Sequence, residues 1–125
     1  MPMTILVVDD EEIVRKLVHV ALKGSVDAVF LEANDAAEAL KVAREHHEPI
    51  DLLVSDVVMP GRMNGIEMAA QLSHARPEMT VVLMSGYALE GLTMEPAWHF
   101  IQKPFGVTEI RERIGNVLTG NRLAA

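Results

Sequence analysis

Five short apolar runs recur along the chain, and each is followed by a segment of helical periodicity. The runs are Thr4–Val8, Ala28–Ala33, Leu52–Val54, Thr80–Met84 and Trp98–Ile101. Most are continuously apolar rather than alternating, as strands covered on both faces are. Strands that alternate with helices confine a chain to α/β architecture, a parallel sheet with helices on both faces. Crossovers in such sheets are right-handed. Five strands fit the doubly wound order 2-1-3-4-5, whose switch point lies between the first and third strands.

The helical segments carry their apolar residues at three- and four-residue steps. The first presents Ile13, Val14, Leu17, Val18, Ala21 and Leu22 and ends at Gly24. A second opens at Asn34-Asp35, with Asp35 and Glu38 spaced as a capping-box variant. It turns Ala36, Leu40 and Ala43 inward and stops at His46-His47-Glu48-Pro49. A third carries Ile66, Ala69, Ala70 and Leu72 and ends before Pro77. The last presents Val107, Ile110, Ile114, Val117 and Leu118, with Gly120 at its C-cap and a tail over 120–125. Between Ala88 and Pro96 a short helix is expected, against the breaking tendency of Gly91 and Pro96. The length and the lack of linkers or repeats predict a single domain over 1–125, with its core in 4–119.

A chain that is 50% hydrophobic with few aromatic residues must build its core from aliphatic side chains and methionine. The absence of cysteine excludes disulfides, thiolate metal sites and cysteine nucleophiles, and suits a reducing compartment. A net charge of −7 argues against direct nucleic-acid binding. No apolar run approaches the roughly 20 residues of a membrane span. Met1-Pro2-Met3 leads straight into a strand, without the pattern of a signal peptide. A soluble, cytoplasmic domain without membrane contact is therefore the expectation.

In a parallel sheet the carboxyl ends of all strands share one edge, where open α/β sheets place their ligands. That edge receives Asp9 and Asp10, Asp56, Ser85 and Lys103. Each has an ordinary explanation when taken alone. Asp56 can cap a turn, and Glu11 and Glu12 suit a helix N-terminus. Four polar sites at equivalent strand ends are hard to assign to capping. Three carboxylates brought together raise one another's pKa unless a cation neutralises them. Mg²⁺ does so with one or two protein carboxylates, waters and a phosphate. Asp56 is then a candidate nucleophile, since carboxylates form covalent phosphoryl intermediates. The Lys103 ammonium and the Ser85 hydroxyl would steady the transferred group's oxygens.

These residues, Val7-Val8-Asp9-Asp10-Glu11, Asp56 with Met59-Pro60-Gly61, Ser85-Gly86 and Lys103-Pro104-Phe105, resemble the receiver domain of two-component response regulators. The likeness covers residues 4–119. It implies the flavodoxin-like fold, a sensor histidine kinase or phosphotransfer protein as partner, and a signalling module that catalyses only its own phosphorylation and dephosphorylation. By that resemblance Asp56 is the phosphoacceptor. Asp10, Asp56 and the Val58 carbonyl ligate Mg²⁺, with Asp9 acting through water. Ser85 is the switch hydroxyl, Phe100 the switch aromatic, and Lys103 contacts the phosphoryl group through a chain whose Lys103–Pro104 peptide is cis. Both a monomer and a homodimer stay open.

Two departures stand out. The loop from Met59 to Gly65 is one residue longer than the commonest family form, with Arg62 inserted, as in receivers joined to hybrid sensor kinases. The span from Ser85 to Lys103 is a few residues short, which reduces the helix that in the family belongs to the output face.

Phe100 also reads as an ordinary core strand residue, and Trp98 as either core or surface contact. The five histidines show no ligand spacing. Three other functions share parts of this pattern. A Mg²⁺-dependent aspartyl-nucleophile phosphatase similar to the haloacid dehalogenases needs Asp-x-Asp on the first strand, where this chain has Asp9-Asp10. A flavin-binding flavodoxin needs a phosphate loop there, and Asp9-Asp10-Glu11-Glu12 would repel phosphate. A phosphate-silent docking receiver does not need the intact constellation.

Overall fold

The computed structural model describes residues 2–86 and 97–124. Its strands are β1 (Met3–Val8), β2 (Ala28–Ala33), β3 (Leu52–Asp56), β4 (Thr80–Ser85) and β5 (His99–Gln102). All pair in parallel, in the order β2-β1-β3-β4-β5 expected from the alternation. The helices are α1 (Glu12–Lys23), α2 (Ala36–Glu45), α3 (Gly65–Ala75) and α4 (Val107–Ala124). The short helix expected between Ala88 and Pro96 lies outside the described residues.

The pleat divides the core in two. Ile5, Val7, Leu52, Val54, Val82 and Met84 face α1 and α4 and meet Val18, Leu22, Ile110 and Ile114. Their neighbours Leu6, Val8, Leu53, Val81 and Leu83 face α2 and α3 and meet Ala39, Ala43, Met68 and Leu72. This is why the central strands are continuously apolar: each successive side chain enters a different half of the core. Edge strand β2 is only partly buried, with Val29 and Glu32 exposed. Among the described residues no helix is long and apolar enough to cross a membrane.

Capping fixes where the helices start. The Asp35 carboxylate accepts the Glu38 N–H at 2.8 Å. Glu38 returns the bond one residue earlier than a simple box would, to the Asn34 N–H at 3.1 Å. At α3, Asn64 and Glu67 form a full capping box. Gly24 ends α1 with right-handed backbone, φ −88°.

Three expectations are corrected. Ile13 is 69% exposed rather than core. It belongs to the first turn of α1, at the carboxyl edge where the sheet ends, and the inward stripe begins with Val14. On α3, Met68 is buried and Ala70 exposed, because the inward stripe runs through 65, 68, 69 and 72. The chain over 121–124 is not a tail: α4 runs through Gly120 to Ala124. A glycine inside a helix costs about 1 kcal/mol relative to alanine, and the Asn-Arg-Leu-Ala that follows contains no breaker.

Candidate functional site

β1 and β3 are adjacent in space, and their carboxyl ends open at the switch point of the sheet. β1 delivers Asp9, fully buried, and Asp10, exposed. β3 ends on Asp56, buried to 7% exposure. Oxygens of the three carboxylates all lie within 4.8 Å of one another. Such a set of hard oxygen donors, partly open to water, fits a hard divalent cation that keeps some of its waters.

Lys103 follows β5 and reaches back across the edge. Its Nζ lies 2.9 Å from Asp9 Oδ2 and 3.3 Å from Asp56 Oδ2. Its backbone N–H donates to the Ser85 carbonyl at 2.8 Å, which holds β5 against β4 just before the side chain departs. The Lys103–Pro104 peptide is cis, as the resemblance implied. Asp9 is held at every polar atom. Its N–H donates to Ala33 O (3.2 Å), and its Oδ1 accepts the Glu11 N–H (2.9 Å). Lys103 takes Oδ2, and Arg15 Nη1 donates to its carbonyl (2.7 Å).

Burial pushes the Asp56 carboxyl above its ordinary pKa, and the neighbouring Asp9 charge pushes in the same direction. The Lys103 charge, its hydrogen bond and the Val58 N–H oppose them without cancelling them. For Lys103, burial works against the ammonium, but the Asp9 hydrogen bond and the two carboxylate charges outweigh it, so its pKa lies above the usual lysine value. Three clustered carboxylates thus face one ammonium, which leaves the cluster short of positive charge.

The remaining sequence-expected residues fall around this centre. Ser85 is fully buried as the last residue of β4. Val58 stands in the loop after β3, its N–H on the Asp56 carboxylate and its side chain exposed. Phe100 is half-buried, packed with Trp98 on the α2–α3 half of the core, and its carbonyl accepts from Arg113 Nη2 at 2.8 Å. Trp98 is thus at least partly core.

Two further residues shape the site without standing out in the sequence. Gly65 opens α3 directly against β3: a Cβ there would collide with the Asp56 carbonyl oxygen. Its N–H donates to Val57 O at 2.8 Å. Only glycine lets the helix start this close to the strand end. Arg15 lies on α1, bound to Asp9 and, through Nε, to Glu32 Oε1 at 3.1 Å. Its sequence gave no signal beyond a charge on an amphipathic helix. The one hint was Glu32, a charge inside an apolar strand run.

A doubly wound sheet of this order, with clustered aspartates and a strand-end lysine at its switch point, defines the receiver class of α/β signalling folds. A sequence model of the response regulator receiver domain matches residues 5–115. The chain is 32% identical to sensor kinase CckA of Brucella abortus over 119 residues, covering 92% of this chain but 12% of that protein. Among solved structures, the receiver domain of the hybrid histidine kinase CckA superposes with a TM-score of 0.77 at 34% identity, covering 92% of this chain and 98% of that one. The response regulator TrrA of Thermotoga maritima, solved in complex with Mg²⁺-BeF, gives a TM-score of 0.77 at 26% identity, covering 92% of this chain and 98% of that one. The chain belongs to the response regulator receiver domain family, the receiver modules of two-component signalling.

Proposed function

We propose that Asp56 is the phosphoacceptor and that the domain takes its phosphoryl group from a phosphohistidine of a sensor histidine kinase or a phosphotransfer protein. The observation that carries this is the position of Lys103 Nζ, 3.3 Å from Asp56 Oδ2 and 2.9 Å from Asp9 Oδ2. A cation held beside a buried carboxylate is placed to meet the charge of an incoming phosphoryl group.

An Asp56 carboxylate oxygen attacks phosphorus. The new P–O bond forms as the P–N bond breaks, and the imidazole nitrogen leaves with that electron pair and takes a proton from water. Lys103 follows the charge from Asp56 onto the phosphoryl oxygens. The buried Ser85 hydroxyl would turn to donate to one of those oxygens, and the strand that carries Phe100 lies next to it. Two states then differ by a hydrogen bond that exists in only one of them, which biases a conformational switch.

Asp10, Asp56 and the Val58 carbonyl would hold Mg²⁺, with Asp9 contributing through water. The ion would neutralise the carboxylate cluster and the transferred group. The three clustered carboxylates fit it, and TrrA, of the same fold, was solved with Mg²⁺-BeF. On this reading the domain turns over only its own acyl phosphate, and it works in the cytoplasm, in keeping with its acidic, cysteine-free composition.

The test is incubation with acetyl phosphate and Mg²⁺, read by intact mass. One added phosphoryl group is expected on the wild type and none on Asp56→Asn. Equal modification of both proteins would refute the assignment.

A further inference from the structure

We infer that Arg15 is the positioning residue of the carboxylate cluster: it fixes the Asp9–Asp10 peptide and so aims Asp10 at the metal position. The inference rests on the Mg²⁺ site proposed above.

Asp10 has to be placed by its backbone. It is exposed, and among the described residues no donor holds its carboxylate. Its direction therefore follows the plane of the peptide that joins it to Asp9. That peptide's carbonyl belongs to Asp9 and accepts Arg15 Nη1 at 2.7 Å, a short charge-assisted bond. On the other side of the residue, Asp9 N–H is anchored to Ala33 O at the end of β2.

Arg15 is itself anchored. Its Nε donates to Glu32 Oε1 at 3.1 Å, and the side chain is 13% exposed. One guanidinium thus ties three elements at the carboxyl edge: the second turn of α1, the end of β1 and the end of β2. Arginine suits the position because its rigid fork serves two acceptors in one plane, which a lysine cannot do. Hydrogen bonds behind a ligand set orient the ligands, and losing one typically costs about 10–100-fold in metal affinity. Arg15 touches neither the phosphoacceptor nor the position of the ion, so it acts only through Asp9 and Asp10.

The experiment is Mg²⁺ titration by calorimetry on the wild type, Arg15→Met, Arg15→Lys, Glu32→Gln and Asp10→Asn. Each is measured well below its own unfolding temperature. Arg15→Met keeps the aliphatic stem and should lose about tenfold in affinity. Arg15→Lys, which can reach one acceptor, should recover part of that loss. Glu32→Gln, remote from the ion and harmless to packing, should weaken Mg²⁺ by about threefold. A residue that only supported the fold would lower the melting temperature and leave the affinity of the folded protein unchanged. If Arg15→Met and Glu32→Gln bind like the wild type while Asp10→Asn does not, the positioning role is wrong and the metal site stands. If Asp10→Asn also binds like the wild type, or the wild type binds no Mg²⁺, the site reading fails and takes this inference with it.

Discussion

The Lys103 ammonium stands 3.3 Å from Asp56 Oδ2, across 47 residues of sequence and two strand boundaries. The contact is possible because β4 and β5 bring the Ser85 carbonyl and the Lys103 N–H within 2.8 Å, so the side chain departs from a fixed point. It sets the electrostatics of the site: the same cation that limits the repulsion between Asp9 and Asp56 is the one that would meet a phosphoryl group.

Replacing that cation should therefore slow phosphorylation more than it disturbs the fold. Lys103→Met is expected to react with acetyl phosphate about 100-fold more slowly at saturating Mg²⁺, the usual cost of losing one group that stabilises a transition state. The time course of intact mass reads it. A rate within threefold of wild type would mean that Lys103 serves only to pair the carboxylates.

The raised pKa of Asp56 makes a stability statement. A carboxyl whose folded pKa lies above its unfolded one binds its proton more tightly in the folded state. Its contribution to stability is greatest at low pH and falls as pH rises from the unfolded pKa through the folded one. Near neutral pH and without Mg²⁺, Asp56→Asn should thus be more stable than the wild type by about 1 kcal/mol, or about 4 °C in Tm. The gap should narrow as pH falls into the carboxylate range. Urea melts of the two proteins across pH test this. A less stable Asp56→Asn would show that Lys103 outweighs burial and Asp9.

Much of this fold is legible in the chain, for a physical reason. The central strands are covered on both faces, so Leu52-Leu53-Val54 and Ile5-Leu6-Val7-Val8 are uninterrupted and easy to find. The strand-end residues stand out because polar groups follow such runs abruptly. Residues that act through backbone atoms are hard to see. Gly65 matters because of a Cβ it lacks, and Arg15 because of a carbonyl it reaches. Ile13 misled because periodicity records the helix face and not where the sheet beneath it ends. Gly120 misled because a glycine near a helix end is a cap only if the chain stops there.

Gly65 offers a direct test of the close approach between α3 and β3. Gly65→Ala should destabilise the protein by about 3 kcal/mol, since backbone must move to admit the methyl group. Gly115→Ala is the contrast. It lies inside α4 with open space around the added carbon, and should stabilise by about 0.5–1 kcal/mol. Denaturant midpoints decide both. Equal effects at the two positions would contradict the geometry at Asp56.

Arg76, remote from the carboxylates, caps the end of α2. Its guanidinium donates to the carbonyls of Ala43 (3.0 Å), His46 (2.7 Å) and Glu48 (2.9 Å). Arg76→Ala should cost about 2 kcal/mol in unfolding free energy and leave the folded protein's rate with acetyl phosphate unchanged. A slowed rate would show coupling between this end of the sheet and the site.

The central claim is that Asp56, among three neighbouring aspartates, carries the phosphoryl group. Borohydride reduction of the phosphorylated protein converts the modified aspartyl residue to homoserine, and peptide sequencing by mass spectrometry locates it. Homoserine in place of Asp56 alone is the expected result. Homoserine in place of Asp9 or Asp10, with Asp56 unchanged, would contradict the account.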